Sequence, residues 1–136
     1  MISALIPLDN LISFASHFAV ASVMLLIFAG LWLWATPFDD IGLIRQGNAA
    51  SAISFAGALI GFAIPVAGVV RASSTLWEVP AWCAIALVAQ LAGLWVVTRV
   101  MHGLVKPIER GEVSAGIFVA GVAVTIGILN AACMGG

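Results

Sequence analysis

A chain of 136 residues that is 63% apolar and 8% charged, with a net charge of −1, is not an ordinary soluble domain, because such domains carry roughly 25% charged residues. The weak charge and the lack of any basic run argue against nucleic acid as a partner. Two cysteines, Cys83 and Cys133, do not make a disulfide framework.

The apolar residues fall in four runs without Asp, Glu, Lys or Arg: Leu11–Ala35, Ala49–Val70, Pro80–Thr98 and Val113–Met134, of 25, 22, 19 and 22 residues. About 20 apolar residues cross a hydrocarbon core of ~30 Å as a helix, so all four can span. Strands would need an alternating pattern and barrel closure, and no such alternation is present.

After a short lead in which Asp9 or Asn10 suits a helix cap, span one carries Ser13, Ser16 and His17 in its first turns and ends in Trp32 and Trp34. The first apolar run is too long for a cleavable signal core, so span one reads as its own insertion signal. A polar loop follows, in which Asp39-Asp40 reads as a solvated turn and Asn48 as the cap of span two. Span two holds a GxxxG, Gly57 to Gly61, whose small residues allow close backbone approach. Pro65 is expected to kink it. Thr75-x-x-Glu78 reads as a capping box for span three, where Cys83, Ala86, Gln90, Gly93 and Val97 share a face. The most charged loop then leads to Glu112, a first-turn carboxylate for span four. That span has a small-residue stripe of Gly116, Ala120, Ala123, Gly127 and Asn130, and Gly135 can close it.

Ile44–Ala67 and Ile108–Ala131 align at an offset of 64 residues with seven identities in 24: Ile44/Ile108, Gly47/Gly111, Ile53/Ile117, Ala56/Ala120, Gly57/Gly121, Ile64/Ile128 and Ala67/Ala131. Each copy has an apolar run before it, so the chain reads as two tandem two-span units, 11–70 and 75–134, within one transmembrane domain, 1–136. The expected fold is all-α: four transmembrane helices as two tandem hairpins, related by a pseudo-two-fold axis along the membrane normal. Loops one and three carry Arg45, Arg99, Lys106 and Arg110, and the other side only Arg71. The positive-inside rule then puts both termini on the periplasmic side.

Intramembrane polar groups often mark a pathway. Gln90 and Asn130 are candidates for a conduit lining, against the plainer reading of interhelical hydrogen bonds. His17 is a candidate relay or metal ligand, against an interfacial histidine bonded to Ser13, water or a head group. His17, Cys83 and Cys133 fall at one membrane depth, but none has metal-ligand spacing. No catalytic set or cofactor motif is found, so neither enzyme activity nor a metal or cofactor is expected.

Gly47-Asn48-Ala-Ala, Pro65, Gln90 and Asn130-Ala131-Ala132 resemble the YjfL-like small multi-pass inner-membrane proteins, a domain-of-unknown-function family. The resemblance covers nearly the whole chain. It implies four spans in the bacterial plasma membrane, an association with envelope-stress proteins, and no established activity. Glu112 departs from it, since a small polar residue such as Asn is expected there. Two functions follow as expectations. The first is a structural or scaffolding component in the lipid bilayer, a homo-oligomer with an envelope protein partner. The alternative is a small oligomeric channel or transporter subunit with Gln90 and Asn130 lining its path.

Overall fold

The computed structural model describes residues 5–134 and is helical throughout its ordered elements. Four long helices match the four runs: α1 (Leu8–Ala35), α3 (Ala49–Ala72), α4 (Glu78–Val100) and α6 (Val113–Cys133). All four are long and apolar enough to cross a membrane. Between them lie short helices that hydropathy does not signal: α2 (Asp40–Arg45), a 3-10 turn (His102–Leu104) and α5 (Val105–Glu109). Gly135, expected to close span four, lies outside the described residues.

Two end assignments differ from expectation. α1 starts earlier, with Pro7 at its N-cap, and Asp9 and Asn10 lie inside it. The Pro7 carbonyl accepts from the Asn10 and Leu11 amides, so the first turn closes through backbone rather than a side-chain cap. At α4 the Glu78 carboxylate reaches back to the Ser74 N–H and hydroxyl, one residue before the expected Thr75 box. α3 continues as a helix through Pro65, the residue expected to kink it. That proline is buried, and its missing N–H leaves the Gly61 carbonyl without an intrahelical donor.

The core is organised on α3. Along one of its faces, α6 lies parallel and close enough to exclude side chains. A Cβ at Gly116 would overlap the Ala50 backbone, one at Gly57 would overlap Ala120, one at Gly61 the Ala123 carbonyl, and one at Gly127 the Gly61 carbonyl. Without a hydrophobic force between spans in lipid, such packing is what holds helices together. The freed Gly61 carbonyl thus meets the Cα of Gly127, a contact suited to a weak C–H···O bond. On its other side α3 meets α1, antiparallel, through Phe28 stacked on Phe62 with ring centroids 4.5 Å apart. α4 packs antiparallel to α6, burying Val79, Cys83, Ala86, Gln90 and Leu94. Gly93 and Val97 of the expected face are only half-buried, because the 3.6-residue period turns the buried stripe toward Leu94. Elsewhere the spans present exposed apolar side chains, as a lipid-facing surface requires.

The entries to α3 and α6 are built alike. In each, a short helix ends at a glycine of positive φ, 85° at Gly47 and 80° at Gly111, a conformation only glycine adopts freely. Gly47 N–H donates to the Ile44 carbonyl at 3.0 Å and Gly111 N–H to the Ile108 carbonyl at 2.9 Å. Asn48 N–H donates to Leu43 and Glu112 N–H to Pro107, both at 2.9 Å. Each pair of bonds forms a Schellman closure. Every donor and acceptor in the second closure lies 64 positions after its counterpart in the first.

Candidate functional site

Polar side chains inside a membrane bundle must find partners within the protein, and their partners disclose what they do. Three groups of them stand out.

The first joins α4 and α6. The Gln90 Nε2 donates to the Ala123 carbonyl at 2.8 Å, and the Asn130 Nδ2 donates to the Ala86 carbonyl at 3.0 Å. The arrangement is reciprocal, since each helix supplies one amide and one carbonyl. Gln90 is buried, Asn130 half-buried. The Gln90 Oε1 and the Trp32 Nε1 have no protein partner. Both residues line a cavity of about 10 Å³, with Leu94 and Val119 among its walls. That is room for about one water molecule, with an acceptor and a donor available to it.

The second group lies where α1, α2 and α3 meet. Asp39-Asp40 is not a solvated turn. Asp39 caps α2 by accepting from the Gly42 N–H at 3.3 Å, whereas Asp40 turns inward and is 2% exposed. Its two oxygens accept from the Thr36 hydroxyl at 2.6 Å and the Ser51 hydroxyl at 2.9 Å. Burial pushes the Asp40 carboxyl above its ordinary value, the hydroxyls of Thr36 and Ser51 pull it down, and the nearby Asp39 charge adds to the rise. The carboxyl therefore ties the end of span one to the start of span two. Sequence reading missed this residue. The available signal was that one of two adjacent acids is enough to cap a helix, and that hydroxyls stand at positions 36 and 51 on the flanking spans.

Asn48, at the start of α3, caps as expected by accepting from the Ser51 N–H at 2.9 Å. Its Nδ2 also reaches the carbonyls of Ile108 at 2.8 Å and Glu109 at 3.2 Å, linking α3 to α5. Glu112 occupies the matching N-cap of α6 but makes no side-chain cap bond. Its carboxylate pairs instead with Arg110 at 3.3 Å, on the exposed surface. A carboxylate also has no N–H with which to answer the bonds of Asn48.

The third group lies at the opposite end. The His17 Nδ1 bonds the Ser13 carbonyl at 2.8 Å, one turn back on α1. Ser13, His17, Arg71 and Ser73 edge a cleft between α1 and α3. The structure does not bring His17, Cys83 and Cys133 together as ligands: no group of three or more His, Cys, Asp or Glu forms among the described residues. Cys83 is buried and Cys133 exposed, and both are free thiols. The packing candidates Gly57, Gly61, Gly116, Ala120 and Gly127 all meet at the α3–α6 seam within one chain. These small-residue stripes are thus largely used inside the monomer.

Residues 5–134 match the family described as Domain of Unknown Function (DUF350). The chain is similar to the UPF0719 inner membrane protein YjfL of Escherichia coli (strain K12) and to that of Escherichia coli O157:H7. Each is 34% identical over 127 residues, which is 93% of this chain and 96% of the relative. No solved structure matches.

Proposed function

The chain belongs to the DUF350 family, and from that premise we propose that it is a structural or scaffolding component of the bacterial inner membrane, acting with envelope-stress proteins. It is a multi-pass inner-membrane protein with four apolar helices. The observation that carries the reading is the reciprocal pair Gln90 to Ala123 and Asn130 to Ala86. Both intramembrane amides donate across the α4–α6 contact, and the free Gln90 Oε1 faces a cavity of only about 10 Å³ rather than an open path. Without a lined path or a catalytic set among the described residues, the working parts of this reading are the outward faces. Enzyme activity has no place in this reading, nor does a cofactor.

In the same reading the two hairpins, 11–70 and 75–134, are tandem units about a pseudo-two-fold axis along the membrane normal. The matched closures at Gly47 and Gly111 support it. Arg45, Arg99, Lys106 and Arg110 gather at one end of the bundle, against Arg71 at the other, which favours a cytoplasmic face for the first and periplasmic termini. A homo-oligomer belongs to this function.

Capture from cross-linked native membranes tests the proposal. A reproducible envelope protein recovered with the chain, together with a mass above that of the monomer in both detergent and lipid nanodiscs, is the expected result. A monomer in every medium with no reproducible partner would overturn it.

A further inference from the structure

The α1–α3 contact is not closed along its length. Beyond the stacked Phe28 and Phe62, the two helices part into a cleft of about 740 Å³. Phe18, Leu25, Ala63 and Val66 wall it, and Ser13, His17, Arg71 and Ser73 stand at its mouth. A second hollow of about 640 Å³ continues from it, sharing Leu25 and Ala63 and reaching Phe55 and Leu59. Both volumes lie within the 300–1,000 Å³ of ordinary ligand pockets. Polarity is sorted along the groove. The mouth has the cation and hydroxyls, and the continuation past Ala63 has only Ser22 among apolar side chains.

Arg71 is the charged residue of the mouth. It makes no ion pair among the described residues, where Arg110–Glu112 is the one salt bridge. Glu78, the acid near this end of α3, has both oxygens engaged by Ser74. Asp9 lies on the first turn of α1, outside the cleft wall. Arg71 therefore stands at the mouth as a cation without an ion-pair partner among the described residues, with the Ser74–Glu78 contact at its edge. Because a carbonyl can only accept, the Ser13 bond places the proton of a neutral His17 on Nδ1 and leaves Nε2 as an acceptor. From Arg71 to Leu59 is 12 residues, or about 18 Å of helix, against ~15 Å for half the hydrocarbon core.

We propose that this groove is a binding site for one anionic glycerophospholipid. Its phosphate sits at Arg71, a head-group hydroxyl donates to His17 Nε2, and one acyl chain lies along Phe18, Leu25 and Leu59. Charge complementarity at the mouth and the match of groove length to one leaflet select this occupant over a second copy's helix, which would need no cation. The site rests on the membrane location alone and stands whether or not the chain is a scaffold.

The test uses the purified full chain in neutral detergent, titrated with phosphatidylglycerol or phosphatidylcholine and read by native mass spectrometry. A phosphatidylglycerol with a photoreactive acyl tail maps the contact in parallel. The expected result is one tightly retained phosphatidylglycerol, favoured about tenfold over phosphatidylcholine, with cross-links on α1 and α3 peptides containing Phe18, Leu25 or Leu59. Arg71→Gln abolishes the preference while a lipid is still retained. Ala63→Trp fills the cleft and weakens retention about tenfold, and Ala67→Trp, at an exposed position on the rim, does the same should the first variant fold poorly. Equal binding of both lipids with cross-links spread over all four spans would overturn the proposal. So would a dimer whose contact runs through the groove and excludes lipid.

Discussion

The two faces of α3 are held in opposite ways. Toward α6, glycines bring backbone against backbone, and a single added methyl group at Gly57, Gly61, Gly116 or Gly127 would overlap its neighbour. Toward α1, one aromatic stack holds the helices and a groove runs open on both sides of Ala63. The difference follows from the residues. Small side chains permit interhelical van der Waals contact along a whole face, whereas α1 meets α3 through the Phe28–Phe62 stack and leaves space beyond it. A seam of the first kind admits nothing. A seam of the second kind has room for a ligand.

The sharpest way to break the comparison is to put volume into the closed seam. Gly127→Leu is expected to destabilise the fold by about 3 kcal/mol, at the upper end of overpacking costs, in equilibrium unfolding from mixed micelles. Gly121→Leu, on the same helix but facing open space, should leave the same transition nearly unmoved. Equal effects at the two positions would mean that the seam is not what holds α6.

Next in size is the tie across the end of the α1–α3 contact. The Asp40 carboxyl keeps its proton to higher pH in the folded chain than in the unfolded one, because burial raises its value above the ordinary 3.8. Its contribution is then complete below about 3.8 and is lost as pH climbs through the raised folded value. Stability measured across that window should fall with rising pH in the wild type, and the slope should shrink in Asp40→Asn. Asp40→Ala removes both hydroxyl contacts and is expected to cost about 1–3 kcal/mol at acidic pH, a typical figure for stranded buried polar groups.

A smaller effect separates the two span entries. Asn48→Ala loses a cap and two links to α5, and about 1 kcal/mol is expected from the cap alone. Glu112→Ala, at the matching position, loses only an exposed ion pair and should change stability by less than about 0.5 kcal/mol. Smallest is Asn130→Ala, where one interhelical bond in a bilayer is worth about 0.6 kcal/mol. Thermal unfolding of the set in a single detergent would rank them.

The spans were legible because lipid permits few alternatives: four uncharged runs of sufficient length must be helices or nothing stable. The α3–α6 seam was half legible. Gly57 and Gly61 marked one side of it, and the stripe from Gly116 to Gly127 marked the other, but no periodicity says which two stripes meet. Asp40 was not legible, because hydropathy treats every aspartate in a loop alike and burial depends on α2, a helix too short for any periodic signal. Glu112 shows a further limit. The two span entries share their backbone positions at an offset of 64 residues, and the Schellman closure with them, but not their side-chain chemistry, since no carboxylate donates the bonds that Asn48 makes.

The central claim is that the intramembrane amides hold helices together rather than line a path. Flux of a panel of ions and small neutral solutes through protein reconstituted in liposomes tests it most directly, with Gln90→Ala and Asn130→Ala beside the wild type. The account predicts rates no higher than those of empty liposomes for all three proteins. A flux that either substitution alters for one solute and not for the others would contradict it and make these amides the walls of a channel.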